Sequence, residues 1–344
     1  MRNFFTSPSG LPGSILVQCL RHLLRLAVLL SIIGVGLVAH YRVFVTKEKI
    51  NVIHSEEHPS SARKLALDMH DYFQSNKADQ LDGKCRLSDI RGNTWSADIY
   101  GFSMTDPLAA AESLATSRNI SKSLLLGLAL PVIATLLLGR FFCSWICPAG
   151  FLFDIADRLR SLLQKIGVPV HHLHLWRGNK FVLLATGLIV GAMAGVPVLG
   201  SFYPPAVLGR EISALTADFF SVLTDYPTVT GISLGGILII GIIIAETFVS
   251  RRLWCRFVCP GGALYSLIGA NRVVRVHNDL NQCTRCNECI QVCPMGLNPM
   301  KTESPGMECD QCMLCLESCQ PGSLSLKWGL PLSHSENQSE KQRE

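Results

Sequence analysis

Of the fourteen cysteines in this chain, twelve fall into four short motifs whose spacing suits metal ligands better than disulfide partners. Near the C-terminus, Cys283-x2-Cys286-x2-Cys289-x3-Cys293-Pro294 is followed by Cys309-x2-Cys312-x2-Cys315-x3-Cys319, with Pro321 close behind. This is the run of a bacterial two-cluster ferredoxin. The close trio takes three corners of one iron-sulfur cubane, and the fourth cysteine reaches the neighbouring cube. One [4Fe-4S] cluster is therefore expected on Cys283, Cys286, Cys289 and Cys319, and a second on Cys309, Cys312, Cys315 and Cys293. A pair of zinc sites is the alternative, but zinc normally uses two separated cysteine pairs and has no use for crossed ligation.

Two further pairs, Cys143-x3-Cys147-Pro148 and Cys255-x3-Cys259-Pro260, each supply half of a cubane's ligands. Pooled, they make four thiolates able to hold a further redox centre; a reversible dithiol or plain structural thiols are the alternatives. Cys19 and Cys85 stand outside the motifs and read as packing or incidental thiols. No Cys-x-x-Cys-His run exists for a c-type haem, and His22 and His40 sit at opposite ends of one apolar segment with no histidines facing them for a b haem. His171, His172 and His174 read as a solvated interfacial loop. Glu246, the one acid inside an apolar run, reads as a partner for Arg251 or Arg252, with proton or quinone chemistry as the alternative, and Gly235 and Gly236 read as helix-packing positions.

The elements that carry these motifs are apolar. A hydrophobic fraction of 48% with 17% charged residues makes the bilayer the expected solvent for much of the chain. The net charge of +5 is dispersed beside the apolar segments and gives no argument for nucleic acid. Stretches long enough to span hydrocarbon lie at 23–44, 121–142, 181–202 and 229–249. The first reads as an uncleaved anchor. Lys and Arg are concentrated after the second and fourth spans, which assigns those connections to the cytoplasm. The division that follows is a cytoplasmic N-terminus at 1–22, periplasmic segments at 45–120 and 203–228, and a cytoplasmic loop at 143–180. A cysteine-bearing cytoplasmic segment at 250–275, a two-cluster ferredoxin domain at 276–327 and a disordered tail at 328–344 complete it.

Arg140 to Gly150 matches Arg252 to Gly262 at one constant offset, cysteines and prolines included. Two helices with the same ending, entered in the same direction, describe a parallel internal repeat whose interface is the natural place for a shared site. Proline-led stretches at Asp106-Pro107 and Pro204-Pro205 look like counterparts on the outer side, where Arg210 and Glu211 are candidate pocket lining. From Leu152 to Ile166 the apolar period is helical, as expected of an amphipathic helix on the inner surface. A hairpin is expected between Lys84 and Phe102, with Gly92-Asn93 as its turn. The fold class is an all-α polytopic membrane protein of four transmembrane helices with a parallel repeat, joined to a small α+β two-cluster ferredoxin-like C-terminal domain.

Thr105-Asp106-Pro107-Leu108, Phe142 to Pro148, Trp254 to Pro260 with Gly262 to Tyr265, and both tail motifs together resemble a known family. It comprises the ferredoxin-type membrane subunits of the periplasmic nitrate reductase quinol dehydrogenase, with methylamine-utilisation ferredoxin-type and nitrous-oxide reductase regulator relatives. The resemblance implies a multi-pass protein of the bacterial inner membrane with both ends cytoplasmic. It also implies electron transfer from membrane quinol toward a periplasmic redox partner, a ferredoxin or cytochrome, so that the chain would be a quinol dehydrogenase subunit. The alternative function is iron-sulfur maturation or regulation of a respiratory metalloenzyme.

Overall fold

The computed structural model describes residues 12–54, 90–93, 96–99, 102–117, 122–168, 175–223, 233–300 and 306–329. Cys85, His171, His172 and His174 lie outside them. The described chain is mostly helical. It opens with a long helix α1 (Pro12–His54) and an antiparallel three-stranded sheet, β1 (Ile90–Asn93), β2 (Ser96–Ile99) and β3 (Phe102–Thr105). Gly92 and Asn93 belong to β1, paired with Ala97 and Ser96, so they are not the turn expected there.

Helices α2 (Pro107–Ser117) and α3 (Lys122–Leu138) lead to a five-residue helix α4 (Phe141–Trp145) and then to α5 (Pro148–Lys165). The second half follows the same order. After α6 (Asn179–Ala194) come α7 (Pro204–Leu223), α8 (Leu234–Phe248), a five-residue α9 (Leu253–Phe257) and α10 (Pro260–Ile268). The tail is built on an antiparallel pair, β4 (Val274–Asn278) and β5 (Leu324–Trp328), which brackets two short helices, α11 (Glu288–Gln291) and α12 (Leu314–Ser318).

Within α1, Leu16–Val38 is apolar and, at 23 residues, long enough to cross a bilayer; the apolar helices Leu124–Leu138, Asn179–Ala194 and Leu234–Phe248 are shorter. The stretch 181–202, expected to be one span, is not one helix. Gly195 takes φ +68° and ends α6 in the left-handed conformation that glycine adopts without strain, and Pro197 follows. The chain then turns back. Leu199 packs onto Gly187 of α6, and its backbone N–H donates to Glu112 of α2 at 2.5 Å, with the Gly200 N–H at 3.1 Å. The uninterrupted apolar composition of 181–202 hides this reversal.

Helix α5 has the predicted amphipathicity. Ile155, Leu159, Leu162 and Ile166 are exposed, while Asp154, Asp157 and Arg160 face the protein. There Asp154 pairs with Arg25 of α1 and with Arg252, and Asp157 with Arg251 at 3.4 Å. Those two arginines are therefore taken. Glu246, expected to pair with one of them, instead accepts the backbone N–H groups of Leu253 and Trp254 at 2.9 and 2.8 Å and so caps the start of α9.

Candidate metal centre

Both Cys-x3-Cys-Pro segments fold into the same turn. A five-residue helix carries the first cysteine, and the second sits one residue before a proline-led helix, as the N-cap of α5 or α10. Proline fits the first helical position because its missing N–H would have no partner there. Cys147 has φ −59° and ψ 117°, Cys259 φ −60° and ψ 114°; each donates its N–H to the carbonyl five residues back, Phe142 or Trp254, at 2.8 Å. Two distant stretches thus hold two cysteines in one conformation.

The fold brings all four together. Cys259 lies within electrostatic reach of Cys143 and Cys147, and Cys255 of Cys147 and Cys259. Burial pushes the Cys147 and Cys259 thiols up to about 11 and about 12, and raises Cys143 and Cys255 as well. Uncompensated thiolates would be costly here, and a bound iron centre would supply the missing positive charge. The Sγ of Cys259 accepts the Gly262 N–H at 3.3 Å, and the Arg140 guanidinium lies within electrostatic reach of Cys143. Ser144 Oγ and Trp254 Nε1, both buried, have no hydrogen-bond partner among the described residues. Four thiols, orphaned donors and basic groups fit an anionic cluster better than a dry structural core.

Two more proline-led helices start at the same place. Asp106 caps α2, and Tyr203 precedes Pro204 at the start of α7. Asp106 Oδ1 accepts the Tyr265 hydroxyl of α10 at 2.8 Å and the Tyr203 hydroxyl at 3.3 Å. Tyr203 packs with Cys259 in one buried cluster, and its ring lies so close over Gly261 that a Cβ there would be 2.4 Å away. Asp106-Pro107, Cys147-Pro148, Tyr203-Pro204 and Cys259-Pro260 therefore converge. Each helix start carries about half a positive charge, so four of them favour an anion between. The sequence reading kept the first and third of these on the outer side; the hydrogen bonds bring them to the cysteine ends. Arg210 and Glu211 do not join this cluster: Arg210 donates to the Gly200 carbonyl at 3.0 Å, and Glu211 accepts the Ser233 hydroxyl at 2.6 Å.

In the tail, Cys283, Cys286, Cys289 and Cys319 line one cavity, closed on one side by Ser323 and Leu324. Cys309, Cys312, Cys315 and Cys293 form a second group: Cys315 is within electrostatic reach of Cys309 and Cys293, and Cys312 of Cys309. Cys315 is also within electrostatic reach of Cys289 of the first group, so the two groups lie side by side. Arg285 and Asn287 in the first loop have φ of 54° and 63°, and Gln311 and Met313 in the second 53° and 63°. Left-handed residues between right-handed ones turn successive N–H groups into a concavity, a form that suits sulfide-rich clusters. The motif spacing does not announce this, because none of the four is glycine. Among the described residues no three His, Cys, Asp or Glu converge tightly enough for one metal ion.

The second loop is docked on the helices. Glu308, one residue before Cys309, pairs with the buried Lys180 and Arg140, the latter at 3.2 Å. Trp145 Nε1, two residues after Cys143, donates to the Gln311 carbonyl at 3.1 Å, and Gln18 and Arg21 of α1 both donate to the Cys312 carbonyl at 3.2 Å. Arg177 holds the Met295 and Gly296 carbonyls at 2.9 and 2.8 Å.

A family model described as a 4Fe-4S binding domain matches this chain twice, over residues 122–167 and 232–277, each time around one Cys-x3-Cys-Pro pair. The ferredoxin-type protein NapH of Escherichia coli (strain K12) is 28% identical over 255 residues, 70% of this chain and 81% of the relative. The methylamine utilization ferredoxin-type protein MauN of Methylorubrum extorquens is 31% identical over 59% of this chain and 65% of its own length. A putative electron transport protein of Escherichia coli (strain K12), YccM, is 30% identical over 56% of this chain and 52% of the relative. No solved structure matches. The 4Fe-4S binding domain model thus matches this chain twice, and the chain is similar to the ferredoxin-type proteins NapH and MauN.

Proposed function

We propose that this chain is an iron-sulfur electron-transfer protein of the inner membrane that takes electrons from membrane quinol and passes them toward a periplasmic redox partner. The observation that carries this reading is the convergence of Cys143, Cys147, Cys255 and Cys259 at four helix starts, with the Cys309–Cys315 loop docked against them. On this reading those four cysteines hold a third centre. Cys283, Cys286, Cys289 and Cys319 hold one tail cluster, and Cys309, Cys312, Cys315 and Cys293 the other. Iron-sulfur cubanes accept and release single electrons, which suits them to splitting the two-electron oxidation of a quinol.

Membrane embedding by four spans, with the two Cys-x3-Cys-Pro units as a parallel repeat, is supported by what the apolar helices expose. Leu126 and Ile133 on α3, Met193 on α6, and Ile237 and Ile244 on α8 all present more than half their surface outward. An apolar belt of this kind asks for lipid. The Lys and Arg pattern puts the tail on the cytoplasmic side. The chain's own residues would seat the centres: Arg140 and the Gly262 amide against the thiolates, and Glu308 and Trp145 against the second tail loop. The test is addition of a short-chain quinol to anaerobically purified protein while the iron-sulfur absorbance is followed. Bleaching with one quinone formed per two electrons supports the reading; protein that dithionite reduces and quinol does not contradicts it.

A further inference from the structure

Asp106 is a buried carboxylate that the cysteines do not use, and its two oxygens have different partners. Oδ2 does the work of an N-cap, taking the Leu108 and Ala109 amides at 3.2 and 3.4 Å. Among the described residues Oδ1 takes no backbone group. It receives two tyrosine hydroxyls from elements 97 and 159 residues away, Tyr203 before α7 and Tyr265 on α10. A cap needs neither. Both tyrosines lie within electrostatic reach of Cys147, and the Tyr265 ring stacks on Phe142, the neighbour of Cys143, at 5.7 Å.

The surroundings suit an apolar reductant that carries protons. The stretch Gly195–Tyr203 returns along α6 to this point without forming a long helix, and in lipid such backbone persists only inside protein or lining a cavity. Phe202, next to the buried Tyr203, is half exposed and apolar. Burial pushes the Asp106 carboxyl up to about 6, against the hydrogen bonds it accepts, and so toward the range in which a general base works near neutrality.

We propose that Asp106, with Tyr203 and Tyr265, is the proton-accepting site for oxidation of a membrane quinol beside the four-cysteine centre. This rests on the quinol reading above and names the residue that serves it. As each quinol O–H bond breaks, its proton passes through the Tyr265 hydroxyl to Asp106 Oδ1, and its electron would leave to the one-electron acceptor that Cys143, Cys147, Cys255 and Cys259 would hold. Asp106 releases the first proton to water before the second arrives. Two rounds yield quinone, two protons and two electrons.

Asp106→Asn keeps the shape and the cap, because Asn caps helices as well as Asp does, and removes the basicity. Full-length parent and variant are compared in three measurements: reduction by a short-chain quinol, reduction by dithionite, and binding of the matching quinone by fluorescence quenching. Reduction by quinol is expected to slow about 100-fold, the usual contribution of a general base, while dithionite reduction, the EPR signals and quinone binding stay at parent values. Quinol reduction at the parent rate overturns the inference. Loss of cluster signals or of quinone binding in step with the rate makes Asp106 a structural cap and overturns it too. If Asp106→Asn does not accumulate, Tyr265→Phe decides, because it leaves Oδ2 capped: slowing by quinol alone supports the inference, and no slowing overturns it. A parent that dithionite reduces but quinol does not overturns the quinol reading and this inference with it.

Discussion

The loops 283–289 and 309–315 have the same cysteine spacing and left-handed residues at the same two positions, yet they occupy opposite environments. In the first, Thr284, Arg285, Cys286 and Asn287 are all exposed; in the second, Cys309, Asp310, Gln311 and Cys312 are all buried. Backbone geometry is therefore not what distinguishes them. The difference comes from side chains outside the loops. Gln282, just before the first, bonds Asp279, three residues back, at 3.0 Å, whereas Glu308, just before the second, joins two buried cations from the helical part. One loop is built to meet solvent, and the other is fixed against the four-cysteine site.

The sharpest way to break this contrast is at the helices. Cys143→Ala and Cys255→Ala should each abolish electron delivery from quinol while both tail clusters remain, because each variant removes one of only four thiolates. Normal quinol oxidation at normal protein level would remove those cysteines from the path. Next in size is Glu308→Gln, which leaves the buried Lys180 and Arg140 facing a neutral group. Breaking such a pair costs about 3–5 kcal/mol. The tail should become sensitive to limited proteolysis at far lower protease levels, while Gln282→Ala in the other loop stays within about 0.5 kcal/mol of the parent. Equal resistance of the two variants would mean that the second loop is not clamped.

A smaller effect is expected of Trp145→Phe, which keeps the stacking on Phe141 and loses the hydrogen bond to the Gln311 carbonyl. That should cost about 1 kcal/mol in the same proteolysis assay. In metal-free protein, iodoacetamide should modify Cys286 well before Cys312: the first is exposed, and burial holds the second thiol well above its ordinary range. Simultaneous labelling, read by mass spectrometry, would show that the two loops are equally open.

In the tail the sequence proposes ligand sets by itself, because the three cysteines of each trio lie close together along the chain. The four-cysteine site was half legible. Each pair was plain, but their meeting depends on contacts more than a hundred residues apart, such as Arg140 with the Cys255 carbonyl at 3.3 Å. Asp106 entered the sequence reading only through the Asp106-Pro107 helix start and the resemblance carried by Thr105 to Leu108, since its tyrosine partners are remote. Residues 181–202 misled for a physical reason. Lipid-facing helix and buried turn are both apolar, so composition cannot mark where Gly195 ends the helix. Glu246 misled because charge partners nearby in sequence, Arg251 and Arg252, were already held by Asp157 and Asp154.

The most direct measurement on the central claim is iron per polypeptide in anaerobically purified protein, with quantified EPR, for the parent and for Cys143→Ala. Three cubanes of four irons each predict about twelve in the parent and about eight in the variant, with one spin signal gone and two retained. About eight irons in both, with identical signals, would contradict the claim that the paired cysteines hold a third centre.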